Sequence, residues 1–146
     1  MFPFIKRFPE TARREMLILR ILDEGLPLPP GQYTFYELYC TEDDCDCRRV
    51  MLQVLSPRLP GRVLATINYG WESVAFYTRW MRGDAEAGSD CAGARLEPLN
   101  PQSELADALL AGFQDFVKTR PEFIAQLQRH YELFKGPPPG RRSKRR

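Results

Sequence analysis

The chain has 146 residues, of which 43% are hydrophobic and 27% charged, and this composition excludes a disordered chain and suits one folded domain. The net charge is +2, and five positive charges lie within residues 141–146. Subtracting those five leaves −3 for residues 1–140, which excludes nucleic-acid binding by the body of the chain on charge alone.

The first predicted element is a helix over residues 9–24. Apolar residues from Met16 to Leu22 recur near a 3.6-residue period, with arginines between them. Gly25 is typical of the position that follows a helix, and the prolines after it prevent continuation. Residues 26–31 are therefore predicted to be a stiff connector.

Three strands are predicted next, separated by short turns. They cover residues 33–40, 47–56 and 62–70, which are rich in aromatic and β-branched side chains or alternate between apolar and polar ones. Residues 73–80 are predicted to form either a fourth strand or a short helix. Because the connections are short, we expect antiparallel neighbours.

The last part of the chain is predicted to be a loop over residues 83–93 and then a helical hairpin. Asn100 as N-cap and Pro101 at the first helical position predict the first helix, and the second runs from Pro121 to a stop at Gly136. The predicted fold is α+β: a small antiparallel sheet of three to four strands with an N-terminal helix and a C-terminal helical hairpin. Residues 1–136 form one domain in this prediction, and residues 137–146 a disordered basic tail.

Three of the four cysteines lie within eight residues, at Cys40, Cys45 and Cys47, in the turn between the first two predicted strands. No apolar run approaches the length of about 18–20 residues that a membrane span needs, and no signal peptide is recognisable. We therefore expect a cytoplasmic protein, in which clustered cysteines indicate a metal site more than disulfides. Zinc prefers soft ligands in a tetrahedron, so the cluster predicts a structural zinc site.

The fourth zinc ligand has two candidates, His130 and Cys91. We favour His130, the only histidine, because a ligand on the last helix would join that helix to the sheet and couple metal binding to folding. Two other interpretations stay open, since the paired Cys-x-x-Cys spacing of many zinc sites is absent. The thiols can be plain buried side chains, or Cys45 and Cys47 can be a redox pair.

Three segments resemble an uncharacterised bacterial domain: YCTEDDCDCRRV at residues 39–50, ATINYGWES at 65–73 and RHYELFK at 129–135. That domain is often found upstream of the zinc-binding motif shared with the C-terminus of the secretion ATPase SecA, the SEC-C motif. The resemblance covers residues 33–135 and implies a bacterial, cytoplasmic, zinc-linked binding module. The downstream cysteine-rich motif is missing, because GPPPGRRSKRR occupies residues 136–146.

The predicted function is a zinc-stabilised, non-enzymatic interaction module. Its candidate partners are a protein of unknown identity and, weakly through the basic tail, nucleic acid. No phosphate-binding glycine loop or EF-hand is present, and a serine-based catalytic triad would have to depend on the lone His130. The alternative is a thiol- or metal-dependent enzyme that uses the same three cysteines, with Arg48 and Arg49 lowering the pKa of Cys47.

Overall fold

The structure, a computed structural model, describes residues 1–136; the predicted basic tail, residues 137–146, lies outside the described residues. The strands are β1 Phe2–Pro3, β2 Leu17–Ile21, β3 Gly31–Tyr39, β4 Arg49–Leu55, β5 Ala65–Gly70 and β6 Gly93–Leu96. The helices are α1 Phe4–Arg7, α2 Pro9–Glu15, α3 Val74–Trp80, α4 Ala85–Cys91, α5 Ala106–Thr119 and α6 Pro121–Lys135. No helix within this part of the chain is both long and apolar enough to span a bilayer.

All six strands belong to one antiparallel sheet in the order β1-β3-β4-β5-β6, with β2 also paired to β3. Strands β1 and β2 pair with opposite ends of β3: Phe2 lies opposite Tyr39, and Ile21 lies opposite Gly31. The α+β class is confirmed. The sheet has more strands than the predicted three to four, because β1, β2 and β6 are added at its edges.

The predicted helix over residues 9–24 is only half correct. Helix α2 ends at Glu15, and Leu17–Ile21 forms strand β2. In this strand Ile18 and Arg20 are exposed while Leu17, Leu19 and Ile21 are half-buried, so the same residues also fit a two-residue period. Pairing with the edge of β3 supplies backbone hydrogen bonds that an isolated segment lacks, and this outweighs the helical pattern.

Two short helices occupy the region between β5 and β6. The stretch predicted as a strand or short helix forms helix α3, Val74–Trp80, whose start is capped by the Ser73 hydroxyl, which accepts the Phe76 N–H at 3.1 Å. The loop predicted over residues 83–93 instead contains helix α4, capped by the Asp84 carboxylate at 3.0 Å from the Ala87 nitrogen. Both caps are residue types that favour helix starts.

The predicted helix start at Asn100 and Pro101 is wrong, because α5 begins at Ala106. The Gln102 amide accepts the Thr66 N–H at 2.9 Å and donates to the Thr66 carbonyl at 2.8 Å. The Pro101 carbonyl accepts the Thr66 hydroxyl at 2.9 Å. This stretch therefore packs beside the beginning of β5, at Thr66, before the helix begins. Helix α6, Pro121–Lys135, is confirmed, and Gly136 follows it with a positive φ of 73°.

The core lies between the sheet and the pair α5 and α6. Phe113 of α5 contacts Phe35 and Tyr69, with ring centroids 5.8 and 5.6 Å apart. Alternate residues of β4, among them Val50 and Leu52, are fully buried in the same cluster. Because side chains alternate across a strand, the intervening residues of β4 face the other side of the sheet, where α3 lies.

Candidate metal centre

The three clustered cysteines lie in the connection between β3 and β4. Cys40 directly follows β3, and Cys47 comes two residues before β4 begins at Arg49. Because β3 and β4 pair antiparallel, the two ends of this connection are neighbours in space. The sulfur atoms of Cys40, Cys45 and Cys47 all lie within 4.8 Å of one another. The fold thus gathers all three thiols that the sequence pointed to.

This separation is suitable for a single metal ion. Three thiolates about 2.3 Å from a tetrahedral zinc ion would be roughly 3.8 Å apart, so small side-chain movements would suffice to close the site. Cys47 is buried, with 1% of its surface exposed, while Cys40 and Cys45 are half-buried. The three cysteines could therefore hold a metal ion that has protein on one side and an open approach on the other.

The thiols of the cluster differ in their tendency to ionise. Burial would raise the pKa of Cys40, but the Glu42 N–H, which donates to its Sγ at 3.4 Å, the Cys45 thiol and the Lys135 ammonium lower it below its usual value. Burial and the two neighbouring cysteines raise the pKa of Cys45 to about 12. A divalent cation would reverse this, because metal ligation deprotonates thiols.

The backbone after Cys47 is fixed from two sides by tyrosines. Arg48 has a φ of 44°, in the left-handed region that a side chain makes unfavourable. Its N–H donates to Tyr131 Oη of α6 at 3.3 Å, and its carbonyl accepts a hydrogen bond from Tyr77 Oη of α3 at 2.6 Å. Tyr131 Oη also lies 3.5 Å from the Cys45 carbonyl. These two side chains determine the path of the chain from the cysteine cluster into β4.

His130 was predicted to be the fourth ligand, and the structure places it elsewhere. Its Nδ1 lies 2.8 Å from Glu37 Oε1 and its Nε2 lies 2.5 Å from Glu15 Oε2, so a carboxylate contacts each ring nitrogen. The ring is fully buried and stacks on Phe4, with centroids 4.4 Å apart. His130 contacts Glu37 of β3 and thus joins α6 to the sheet through a carboxylate, not through a metal ion.

Cys91, the other candidate, also lies outside the cluster. It is the last residue of α4 and is 7% exposed, and burial raises the pKa of its thiol. Its Sγ lies 3.7 Å from Arg49 Nη1. Among residues 1–136, only Cys40, Cys45 and Cys47 form a group of at least three closely spaced Cys, His, Asp or Glu donors.

Comparisons with protein-family models, with curated proteins and with solved structures found no match to this chain. The resemblance of residues 33–135 to the bacterial domain found upstream of SEC-C motifs therefore stays a prediction.

The sequence carried no signal for several residues around the centre. Tyr77 and Tyr131 lie 29 and 83 residues from Arg48, whose backbone they bind. Both tyrosines look like ordinary apolar positions of their helices. Their role follows only from the hydrogen bonds that α3 and α6 make with the Arg48 backbone in the folded protein.

Proposed function

We propose that the chain binds one zinc ion through Cys40, Cys45 and Cys47 and acts in the cytoplasm as a zinc-stabilised, non-enzymatic interaction module. The observation that carries the proposal is the convergence of the three sulfur atoms to within 4.8 Å of one another. Thiolates are soft ligands that favour zinc over calcium or magnesium. The resemblance to the SEC-C-associated domain supports the same class of function.

The proposed stabilising role depends on what the cysteine segment contacts. Tyr131 binds the backbone of Arg48, and Lys135 Nζ donates to the Glu42 carbonyl, so two residues of α6 hold this segment. A metal ion that orders the segment would thereby strengthen the attachment of α6 to the sheet. Metal-binding free energy then contributes to the free energy of folding.

The fourth zinc ligand is proposed to come from outside the three cysteines, as a water molecule or a donor atom of a protein partner. Cys40 and Cys45 are only half-buried, so this side of the ion would be accessible. The exposed acids Glu42, Asp44 and Asp46 would attract cations to the cluster. A partner that carries a histidine or cysteine donor would complete a tetrahedral site.

The proposal is tested by elemental analysis and zinc-edge X-ray absorption on the purified full-length chain. We expect one zinc per chain with three sulfur neighbours at about 2.3 Å and one lighter donor atom. Cys45→Ser should lose most of the metal, whereas Cys91→Ser, at the one cysteine outside the cluster, should retain it. Metal-free protein with four freely reactive thiols, or equal metal content in both variants, would contradict the proposal.

A second candidate is a metal-dependent enzyme, which the three-cysteine ligand set favours because catalytic zinc commonly keeps one non-protein position. A thiol enzyme activated by Arg48 has less support, since the Arg48 guanidinium is engaged by Asp46 at 2.9 Å and Glu72 at 3.3 Å. Zinc-dependent turnover separates the candidates, because both leave the fourth position to water or a partner in the isolated chain. Zinc-dependent hydrolysis of an activated ester that Cys45→Ser abolishes indicates the enzyme, and the absence of such hydrolysis supports the interaction module.

A further inference from the structure

Strand β6 is the last strand of the sheet, and its outer edge is not paired with another strand in the described part of the chain. On its inner side it pairs with β5, and the ladder continues to Glu97, whose N–H donates to the Thr66 carbonyl at 2.9 Å. Because the backbone hydrogen-bonding groups of successive residues point to alternate sides of a strand, those of Arg95 also point toward β5. Those of Ala94 and Leu96 therefore point outward, where a further strand can pair with them.

Helix α5 reaches only one of these outward groups. The Gln114 amide donates to the Ala94 carbonyl at 3.1 Å. Within the described residues, no hydrogen bond reaches the outward N–H or carbonyl of Leu96. A groove runs along this edge, and its lining includes Ala94, Leu96 and Leu110. An open strand edge of this kind is a template on which a strand of another chain can add to the sheet.

The charges along β6 distinguish its edge from the open edge of β2. Strand β2 carries a single charge, Arg20, and no acid. The β6 ladder carries Arg95 and, two residues later, Glu97. Residues two apart lie on the same face of a strand, and unlike charges attract when they lie directly opposite each other on neighbouring strands. The β6 edge can therefore complement a second copy of itself, whereas the β2 edge cannot.

The charges select one register for two antiparallel β6 strands. In such a pair the outward-pointing residues of both strands lie opposite each other, so the twofold axis passes through a residue and not between two. An axis at Arg95 or at Glu97 places like charges directly opposite each other, which is unfavourable. An axis at Ala94 places Arg95 opposite the partner's Gly93. An axis at Leu96 places Arg95 opposite the partner's Glu97 and, by symmetry, Glu97 opposite the partner's Arg95.

A single copy of the chain leaves groups at this edge that a second copy would use. Glu97 has no ion pair in the described part of the chain. Arg95 pairs only with Asp90, at 3.1 Å, and both side chains are at least half exposed, so this ion pair contributes little. On the α5 face, Leu96 and Leu110 are half-buried. An axis at Leu96 brings the two copies of that leucine side by side and covers this apolar surface.

We propose that two copies of this chain pair antiparallel through β6, with a twofold axis at Leu96, and form one continuous sheet across both copies. The paired edge is short, and interfaces that bury less than about 1,200 Å² are typically weak. We therefore expect a dissociation constant of about 10–100 µM. None of the three clustered cysteines belongs to β6 or lines its groove, so this proposal and the zinc proposal can fail independently.

Sedimentation of the full-length chain at about 5–500 µM, with a reductant to prevent disulfides between copies, tests the proposal. Arg95→Glu and Glu97→Arg should each weaken self-association about tenfold, because each places like charges opposite each other at two symmetric positions. An equimolar mixture of these two variants should associate again, since one chain then carries two cations and the other two carboxylates. Arg20→Glu, the matched charge reversal on the β2 edge, should stay within about twofold of wild type.

Amide hydrogen exchange of the wild type gives a second readout that needs no variant. The Leu96 N–H points outward, so it should exchange several-fold more slowly at about 500 µM than at about 5 µM. The Arg95 N–H points toward β5 and should be equally protected at both concentrations, which makes it the internal control.

The proposal is overturned if wild type stays monomeric at about 500 µM, or if both charge-reversed variants associate like wild type. A mixture of the two variants that stays monomeric, or an Arg20→Glu variant that dissociates as they do, also overturns it. Should a variant fail to fold, wild type decides the matter. Raising the salt concentration from about 0.05 to about 0.5 M should weaken its self-association several-fold. Unchanged affinity, or a Leu96 amide that ignores protein concentration, overturns the proposal.

Discussion

His130 Nδ1 lies 2.8 Å from Glu37 Oε1 in the interior of the protein. The same carboxylate oxygen accepts the Tyr39 hydroxyl at 2.5 Å, and Glu15 contacts the opposite ring nitrogen at 2.5 Å. The imidazole thereby joins the end of α2, the middle of β3 and helix α6. Both of its nitrogens face carboxylates, so the doubly protonated imidazolium can donate to both at once.

This arrangement predicts a stability that depends on pH. Burial would lower the pKa of His130, but Glu37 and Glu15 outweigh it and raise the pKa above the usual 6.5. A raised folded-state pKa means that the contribution of His130 to stability is complete below pH 6.5 and is lost as the pH rises through the folded value. We expect His130→Gln to have a lower free energy of unfolding than wild type. This difference should be largest near pH 5.5 and should shrink toward pH 8.5.

At acidic pH, Glu15 makes the stability depend on pH with the opposite sign. The hydrogen bond from His130, opposed by burial and reinforced by Arg129, lowers the pKa of Glu15 below the usual 4.5. Its contribution is therefore present above pH 4.5 and is lost as the pH falls through the lower folded value. Urea unfolding of wild type and His130→Gln from acidic to alkaline pH measures both the Glu15 and the His130 contributions. A chelator is present throughout, so that bound metal does not affect the comparison. If wild type and His130→Gln differed in free energy of unfolding by the same amount at every pH, a charged His130 between Glu37 and Glu15 would be contradicted.

Removal of metal should destabilise the protein if the zinc proposal is correct. We expect a chelator to lower the melting temperature by several degrees, about 3 °C for each kcal/mol of lost stability in a domain of this size. Cys45→Ser should melt at the lower temperature and respond little to chelator, while Cys91→Ser should respond like wild type. Calorimetry measures these shifts, and a wild-type melt that chelator leaves unchanged argues against a structural metal.

Two helical glycines should respond oppositely to alanine substitution. A Cβ at Gly88 of α4 would lie 2.6 Å from the Thr78 nitrogen of α3, so Gly88→Ala forces the two helices apart and should cost about 1–3 kcal/mol. At Gly112 of α5 the nearest atom is Leu19 Cδ2 at 3.6 Å, an ordinary contact. Gly112→Ala should therefore stabilise by about 0.5–1 kcal/mol. Chemical denaturation checks both, and the same sign for both would be inconsistent with this packing.

Removing one hydroxyl should loosen the cysteine segment. Tyr77→Phe deletes the donor to the Arg48 carbonyl, which leaves a partly buried acceptor without this partner and should cost about 1–2 kcal/mol. Under the zinc proposal the metal affinity should fall as well, because the residue after Cys47 loses its anchor. Tyr36→Phe is the control, since its half-buried side chain makes no hydrogen bond within the described residues. Equal behaviour of the two variants in denaturation and zinc competition would refute this role.

The sequence alone predicted the elements whose pattern and pairing partners both lie close together along the chain. The central strands β3, β4 and β5 and the helix α6 were predicted because alternation, short turns and a Pro-to-Gly span are local patterns. The proximity of Cys40, Cys45 and Cys47 was likewise predictable, since a short connection between adjacent antiparallel strands brings its two ends together. The short connection between β3 and β4 therefore supported both the predicted antiparallel pairing and the predicted cysteine cluster.

The tertiary structure decided what depends on residues far apart in the chain. Residues 17–21 fit both a helix and a strand, and only the free edge of β3 settled the choice in favour of β2. His130 could as well have bound a metal as a carboxylate, and Glu37 and Glu15, 93 and 115 residues away, occupy its nitrogens. The unpartnered Nε of Arg49, the one such buried side-chain atom within residues 1–136, was invisible in sequence for the same reason. Burial and pairing are properties of the packed fold, and no local pattern records which distant side chains a fold brings together.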